Sequence, residues 1–143
     1  MVPNNPYGAA SRSGTLGHPQ TRSTDMPIGT RYVFIASMDV DPEKEDLFNE
    51  VYDTEHVPYL LEVPGVIAVT RLKAQDFEVS MGGELKSVAR GETPTWHAIY
   101  EIESPDVMKS AAWAEAVERG RWPGEVRPHT RNRRHSLQRV MGA

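Results

Sequence analysis

Between Phe48 and Leu61 the chain runs Phe-Asn-Glu-Val-Tyr-Asp-Thr-Glu-His-Val-Pro-Tyr-Leu-Leu, its densest collection of groups able to move a proton. Wound as a helix, Phe48, Tyr52, Glu55, His56 and Tyr59 fall within about 100° of one another. One face then carries two phenols, a carboxylate and an imidazole. His56 is the first candidate for a general base or acid, because an imidazole with an ordinary pKa near ~6.5 exchanges protons at neutral pH. Asp53 or Glu55 is placed to fix its tautomer. Tyr52 or Tyr59 is placed to donate to a developing enolate oxygen. The competing reading of His56 is structural: Pro58 has no N–H, so the helix should kink or restart around Thr54–Pro58, and a histidine there can bond a freed carbonyl.

Further along, His97 alternates with Ile99 and Glu101 and so points away from the face carrying Trp96 and Tyr100. It is a second substrate-binding candidate, or else a cross-strand or interface histidine. Arg71 is a candidate for a substrate carboxylate. Phe48, Trp96 and Tyr100 are candidates to line a pocket, with core packing the leading reading for Trp96 and Tyr100. His56, His97 and Glu55 could form a two-His, one-carboxylate metal set, but no HExxH spacing accompanies them. Neither metal nor organic cofactor is expected. There is no G-x-S-x-G nucleophile turn. The one glycine pair, Gly82-Gly83, opens no helix, so phosphate loops and dinucleotide fingerprints are absent too.

These groups need elements to hold them. Arg31–Met38 is rich in β-branched and aromatic residues and reads as a buried strand. Asp41-Pro42-Glu43 then supplies a cap, a first-turn proline and an acid for a helix from about 42 to the mid-fifties. Residues Trp96–Ile102 and Ser104-Pro105-Asp106 repeat that grammar, predicting a helix over about 105–119 that ends near Gly120. A strand follows each helix, at Gly65–Leu72 and within His129–Val140. Residues 74–94 suit a hairpin or long loop. The order β-α-β-β-α-β predicts an α+β, ferredoxin-like protomer: a four-stranded antiparallel sheet with both helices on one face. The first strand is apolar on both faces, and helices cover only one, which points to a second copy packed sheet to sheet, a homodimer.

With 143 residues, the chain has room for one core. Residues 1–29 carry so few large apolar groups that they read as a disordered extension, leaving 30–143 as the domain. Met26, just ahead of Pro27, is a candidate natural start, which N-terminal sequencing from the native host would test. The absence of Cys excludes disulfides, cysteine metal sites and thiol nucleophiles. No run approaches a membrane span, and the first residues lack the charged and apolar regions of a secretion signal, so a cytoplasmic location is expected. From Arg119 onward there are seven Arg and one acid, Glu125, within a chain of net charge −4. We read this basic segment as a solvated edge strand paired with acidic helices, with an anionic small-molecule site as the alternative. Nucleic acid is not expected, since 125–143 has no aromatic for stacking. His129 and His135 read as solvated.

The run from Asn49 to Val66, N-E-V-Y-D-T-E-H-V-P-Y-L-L-E-V-P-G-V, resembles the EthD-like branch of the dimeric α/β-barrel superfamily, and Arg127–Arg134 is similar to members of that group. The resemblance spans about residues 30–143. It implies a ferredoxin-like protomer pairing sheet to sheet and a pocket lined by His56. Relatives include polyketide cyclases, muconolactone isomerases, cofactor-free quinone-forming monooxygenases and haem enzymes, but no haem-ligand motif is present. The expectation is a small cofactor-independent enzyme. It would carry out isomerisation, cyclisation or lysis on a small aromatic, cyclic-ketone or lactone-like metabolite. The alternative is a non-catalytic protein that binds a hydrophobic small molecule.

Overall fold

A computed structural model describes residues 27–142. The expected disordered extension lies outside the described residues up to residue 26. Within the described part, β1 (Tyr32–Val40) leads through a 3₁₀ turn (Pro42–Lys44) into α1 (Glu45–Val51), a π-helical turn (Tyr52–His56) and α2 (Val57–Leu61). There follow β2 (Val66–Lys73), the hairpin β3 (Phe77–Met81) and β4 (Glu84–Val88), and β5 (Trp96–Ile102). A 3₁₀ turn (Pro105–Lys109) precedes α3 (Ala111–Ala116), and a second π turn (Trp122–Val126) and a 3₁₀ turn (Arg127–His129) precede β6 (Thr130–Arg131) and β7 (Ser136–Arg139).

The main sheet runs β2-β5-β1-β7, antiparallel throughout, with β6 on the far end of β1. That strand order and the helices gathered on one face are those of a ferredoxin-like α+β fold, as the sequence order predicts. Register places Met38 opposite Trp96, Ala36 opposite Ala98 and Phe34 opposite Tyr100. These residues share the helix-side face. Phe48, Val51, Tyr52, Val57 and Leu60 pack onto it and close the core. The opposite face carries Val33, Ile35, Ser37, His97 and Ile99.

Three expectations need correction. The helix foreseen over about 105–119 is broken at Ser110, whose extended backbone ends the 3₁₀ turn and whose hydroxyl accepts the Trp113 N–H to start α3 afresh. The strand foreseen within 129–140 is split into β6 and β7. Asn132 adopts a left-handed backbone (φ 51°), its side-chain amide donating to Asp39 and to the Glu92 carbonyl. Asp41 makes no side-chain cap; its carboxylate instead pairs with Arg131 and His129. The 74–94 segment is a hairpin, turned at Gly82-Gly83, where both residues have positive φ. No helix among the described residues is long and apolar enough to cross a membrane.

Candidate functional site

The helix widens just before Pro58 and restarts as α2 at Val57, within the expected stretch Thr54–Pro58. The Val57 N–H reaches back five residues to the Tyr52 carbonyl, so Tyr52–His56 form a π turn, and Pro58 sits in the first turn of α2, where a missing N–H costs little. Such turns carry an extra residue and bulge the side chains they contain. Here they turn His56 and Tyr52 toward the sheet.

His56 is 5% exposed. Its imidazole stacks on Trp122, with ring centroids 4.2 Å apart, and meets Tyr52 edge-on at 5.0 Å. Nδ1 is enclosed and has no hydrogen-bond partner. Burial, seconded by the Arg127 charge and opposed by Glu118, lowers the imidazole pKa to about 3, so it is neutral at pH 7.

His56 forms part of the wall of a cavity of about 170 Å³ between the sheet and the helices. Tyr52 and Tyr100 line it together, their hydroxyls 2.9 Å apart. Burial raises both phenol pKa values, so neither ionises near neutrality. One of the two hydroxyls donates to the other, leaving one O–H able to donate into the cavity. Phe34 and Trp113 add an aromatic wall, edge to face at 6.0 Å. At the rim stand Arg127, Arg133 and His135. Arg127 is occupied by Glu118 and the Val117 carbonyl. His135 accepts the Ser37 backbone N–H on Nδ1, which puts its own ring proton on Nε2.

Several predicted site residues stand elsewhere. Asp53 and Glu55 do not orient His56: Asp53 pairs with Arg71 at 2.7 Å, and Glu55 accepts both the backbone N–H and the Nε of Arg121. Those bonds, the backbone one first, hold the Glu55 carboxyl below the usual carboxylate range. The turn that brings Arg121 there passes through Gly120, at φ 67°, where a Cβ would press on Glu55 Oε1 and the Tyr59 ring. Tyr59 lies under the Arg119 guanidinium, 4.1 Å from its ring centre, away from the cavity. Arg71 is not free for a substrate carboxylate. Its guanidinium bonds Asp53 and Asn49 and lies over the rings of Tyr52, Phe48 and Trp96. That packing leaves no open volume around Phe48 and Trp96. His97 bonds Ser37 Oγ at 2.6 Å on the opposite sheet face. The hypothetical metal set of His56, His97 and Glu55 is therefore dispersed, and among the described residues no three His, Asp or Glu side chains gather to hold an ion.

Trp122, Trp113, Phe34, Arg133 and His135 were not singled out as site residues from the sequence. The one available signal was the basic 127–134 run, for which an anionic site was the alternative reading.

No family model matches the chain, and no curated protein matches it. Among solved structures there is a similar backbone. It is the crystal structure of an ethyl tert-butyl ether d (EthD) family protein from Bacillus halodurans C-125, 14% identical, covering 77% of this chain and 99% of that one with a TM-score of 0.49.

Proposed function

We propose that the chain is a small cofactor-independent enzyme that performs acid–base chemistry on a small aromatic, cyclic-ketone or lactone-like metabolite. The reaction would be an isomerisation, a cyclisation or a lysis. One observation carries this reading: a buried, neutral imidazole without a hydrogen-bond partner sits in the wall of an aromatic cavity, beside a tyrosine pair with a spare O–H. A histidine serving only packing would ordinarily satisfy its nitrogens. In the proposed cycle His56 accepts a proton from substrate carbon or oxygen. The Tyr52–Tyr100 pair donates to the oxygen on which charge develops.

A second reading is favoured by the same burial. Protonating a group whose pKa is about 3 at pH 7 costs about 5 kcal/mol, which suits a protein that binds such a metabolite without converting it. A panel of ring ketones, lactones and phenols, screened by thermal shift and then followed for hours by chromatography, separates the two. Under the enzyme reading a binder is consumed by wild type and left intact by His56→Gln at little-changed affinity. A ligand left intact by both proteins establishes the binding reading.

We also infer a homodimer through the sheet face that carries Val33, Ile35 and Ile99, with Leu72 45% exposed at its border. Sedimentation at two concentrations tests this, and a monomer at both overturns it.

A further inference from the structure

The charges around the cavity do not balance, and the imbalance names a ligand class. This step rests on the cavity being the small-molecule site proposed above. Of the two guanidinium groups at the rim, Arg127 is neutralised by Glu118. Arg133 is not. Its Nε donates to Thr130 Oγ1, and among the described residues no carboxylate lies within ion-pair distance of it. Asp39 and Asp41, the acids that hold the neighbouring Arg131 and Asn132, are already engaged, Asp41 with Arg131 and His129 and Asp39 with Asn132 and the Thr95 N–H. Beside Arg133, His135 has its Nδ1 filled by the Ser37 N–H, so its ring donor is Nε2–H, and a backbone bond with Arg134 also bears on the ring. The rim thus holds a cation and a neutral donor, and no Asp or Glu lines the cavity. A cationic ligand has nothing to pair with there.

Inside the rim the walls are rings. Phe34, Tyr100 and Trp113 contact one another edge-on or tilted, with centroids 5.7 to 6.0 Å apart. The space is about 170 Å³, close to the ~150 Å³ cavity that accommodates a benzene molecule. A single ring fits that space.

We propose that the cavity takes a single-ring carboxylate, its ring between Phe34, Trp113 and Trp122 and its carboxylate bridging the free guanidinium N–H groups of Arg133 and the Nε2–H of His135. A guanidinium matches a carboxylate with two parallel hydrogen bonds, and a neutral amide of the same shape forfeits them. The ligand's ring end then faces His56, and its charged end faces solvent.

The test titrates the full chain with benzoate and cyclohexanecarboxylate, and with benzamide and benzylamine as neutral and cationic isosteres, by calorimetry in low-chloride buffer. The carboxylates should bind at least tenfold more tightly than benzamide, benzylamine should not bind, and affinity should fall as salt rises. Arg133→Gln should weaken benzoate tenfold or more, with Arg133→Lys recovering part of the loss. Equal binding of benzoate and benzamide, or benzoate affinity unchanged in Arg133→Gln, overturns the anion assignment and leaves the cavity reading standing. Should neither ring carboxylate nor either isostere bind, the carboxylate proposal falls, and the ketone, lactone and phenol panel decides the cavity reading. The isostere comparison uses wild type alone and does not depend on any variant folding.

Discussion

The imidazole of His56 lies nearly flat on the indole of Trp122, their planes 20° from parallel. The stack joins two distant π turns, one before α2 and one after α3, and it fixes the orientation of an imidazole that no hydrogen bond fixes.

Truncating that indole should therefore be costly. Trp122 is 4% exposed and also packs on Phe48 and Tyr52. Trp122→Ala should lose about 3–5 kcal/mol of stability, read from urea midpoints, while Trp122→Phe should keep most of it. A cost below ~1 kcal/mol would show that the stack does not organise this end of the core.

Stability should fall as the solution is acidified below pH ~6.5. Unfolded, His56 binds a proton near its ordinary pKa; folded, it stays neutral down to about 3. The unfolded state thus holds the extra proton between those values, and each pH unit lost there removes about 1.4 kcal/mol. The contribution is complete above pH ~6.5 and gone below 3. Asp39, Glu55 and Glu118 have lowered pKa values and begin to add their losses once the pH falls below their ordinary values of about 4. His135, also lowered, adds a share in the same window. Denaturant unfolding between pH 4.5 and 7 should show the slope in wild type, much less of it in His56→Gln, and a smaller reduction in His135→Gln.

These features differ in how far the sequence revealed them. Alternation in Trp96–Ile102 and the cap–proline–acid signals at 41–43 and 104–106 sufficed for strand order and for the placing of both helices on one sheet face. Pro58 marked the helix irregularity that carries His56. The partners of Asp53, Glu55 and Arg71 were hidden, because each ion pair joins residues 18 or 66 positions apart and charge patterns along one helix say nothing of them. Arg133 and His135 were hidden for another reason. Strand alternation governs which way side chains point only while the strand is regular, and the left-handed Asn132 interrupts it.

Arg71 should prove structural. With one carboxylate and one amide bonded and three rings around it, Arg71→Ala should cost roughly 2 kcal/mol. Arg71→Lys should recover little of that, since a lysine cannot bridge Asp53 and Asn49 from a planar fork. Benzoate affinity should stay within about threefold, as measured by calorimetry on whichever variant remains folded.

The tyrosine pair invites a double-mutant cycle. Tyr52→Phe and Tyr100→Phe each remove one hydroxyl of a fully buried pair and strand the other. The double variant should therefore be about 1 kcal/mol more stable than the two single losses summed. Strict additivity in the unfolding free energies would mean that the hydroxyls do not depend on each other.

Gly120 should not tolerate a side chain. Gly120→Ala adds a Cβ against Glu55 and Tyr59 in a left-handed backbone, at a cost of about 1–3 kcal/mol. Circular dichroism melts would register it as a lowered midpoint with an unchanged spectrum.

The wide turn at Tyr52–His56 holds one residue more than an ordinary helical turn of the same rise. Helix length and site are therefore counted in the same residues. Deleting any one residue from this turn would let the helix close regularly, with Val57 and Leu60 still directed at the sheet and the fold intact. Because the extra residue absorbs about 100° of rotation, the residues ahead of the deletion, Phe48 and Val51 among them, would keep the face they share with Val57 and Leu60. An insertion of one amino acid is thus enough to turn a plain packing helix into one that sets an imidazole in a cavity wall, and its loss would leave a stable protein with nothing to do there.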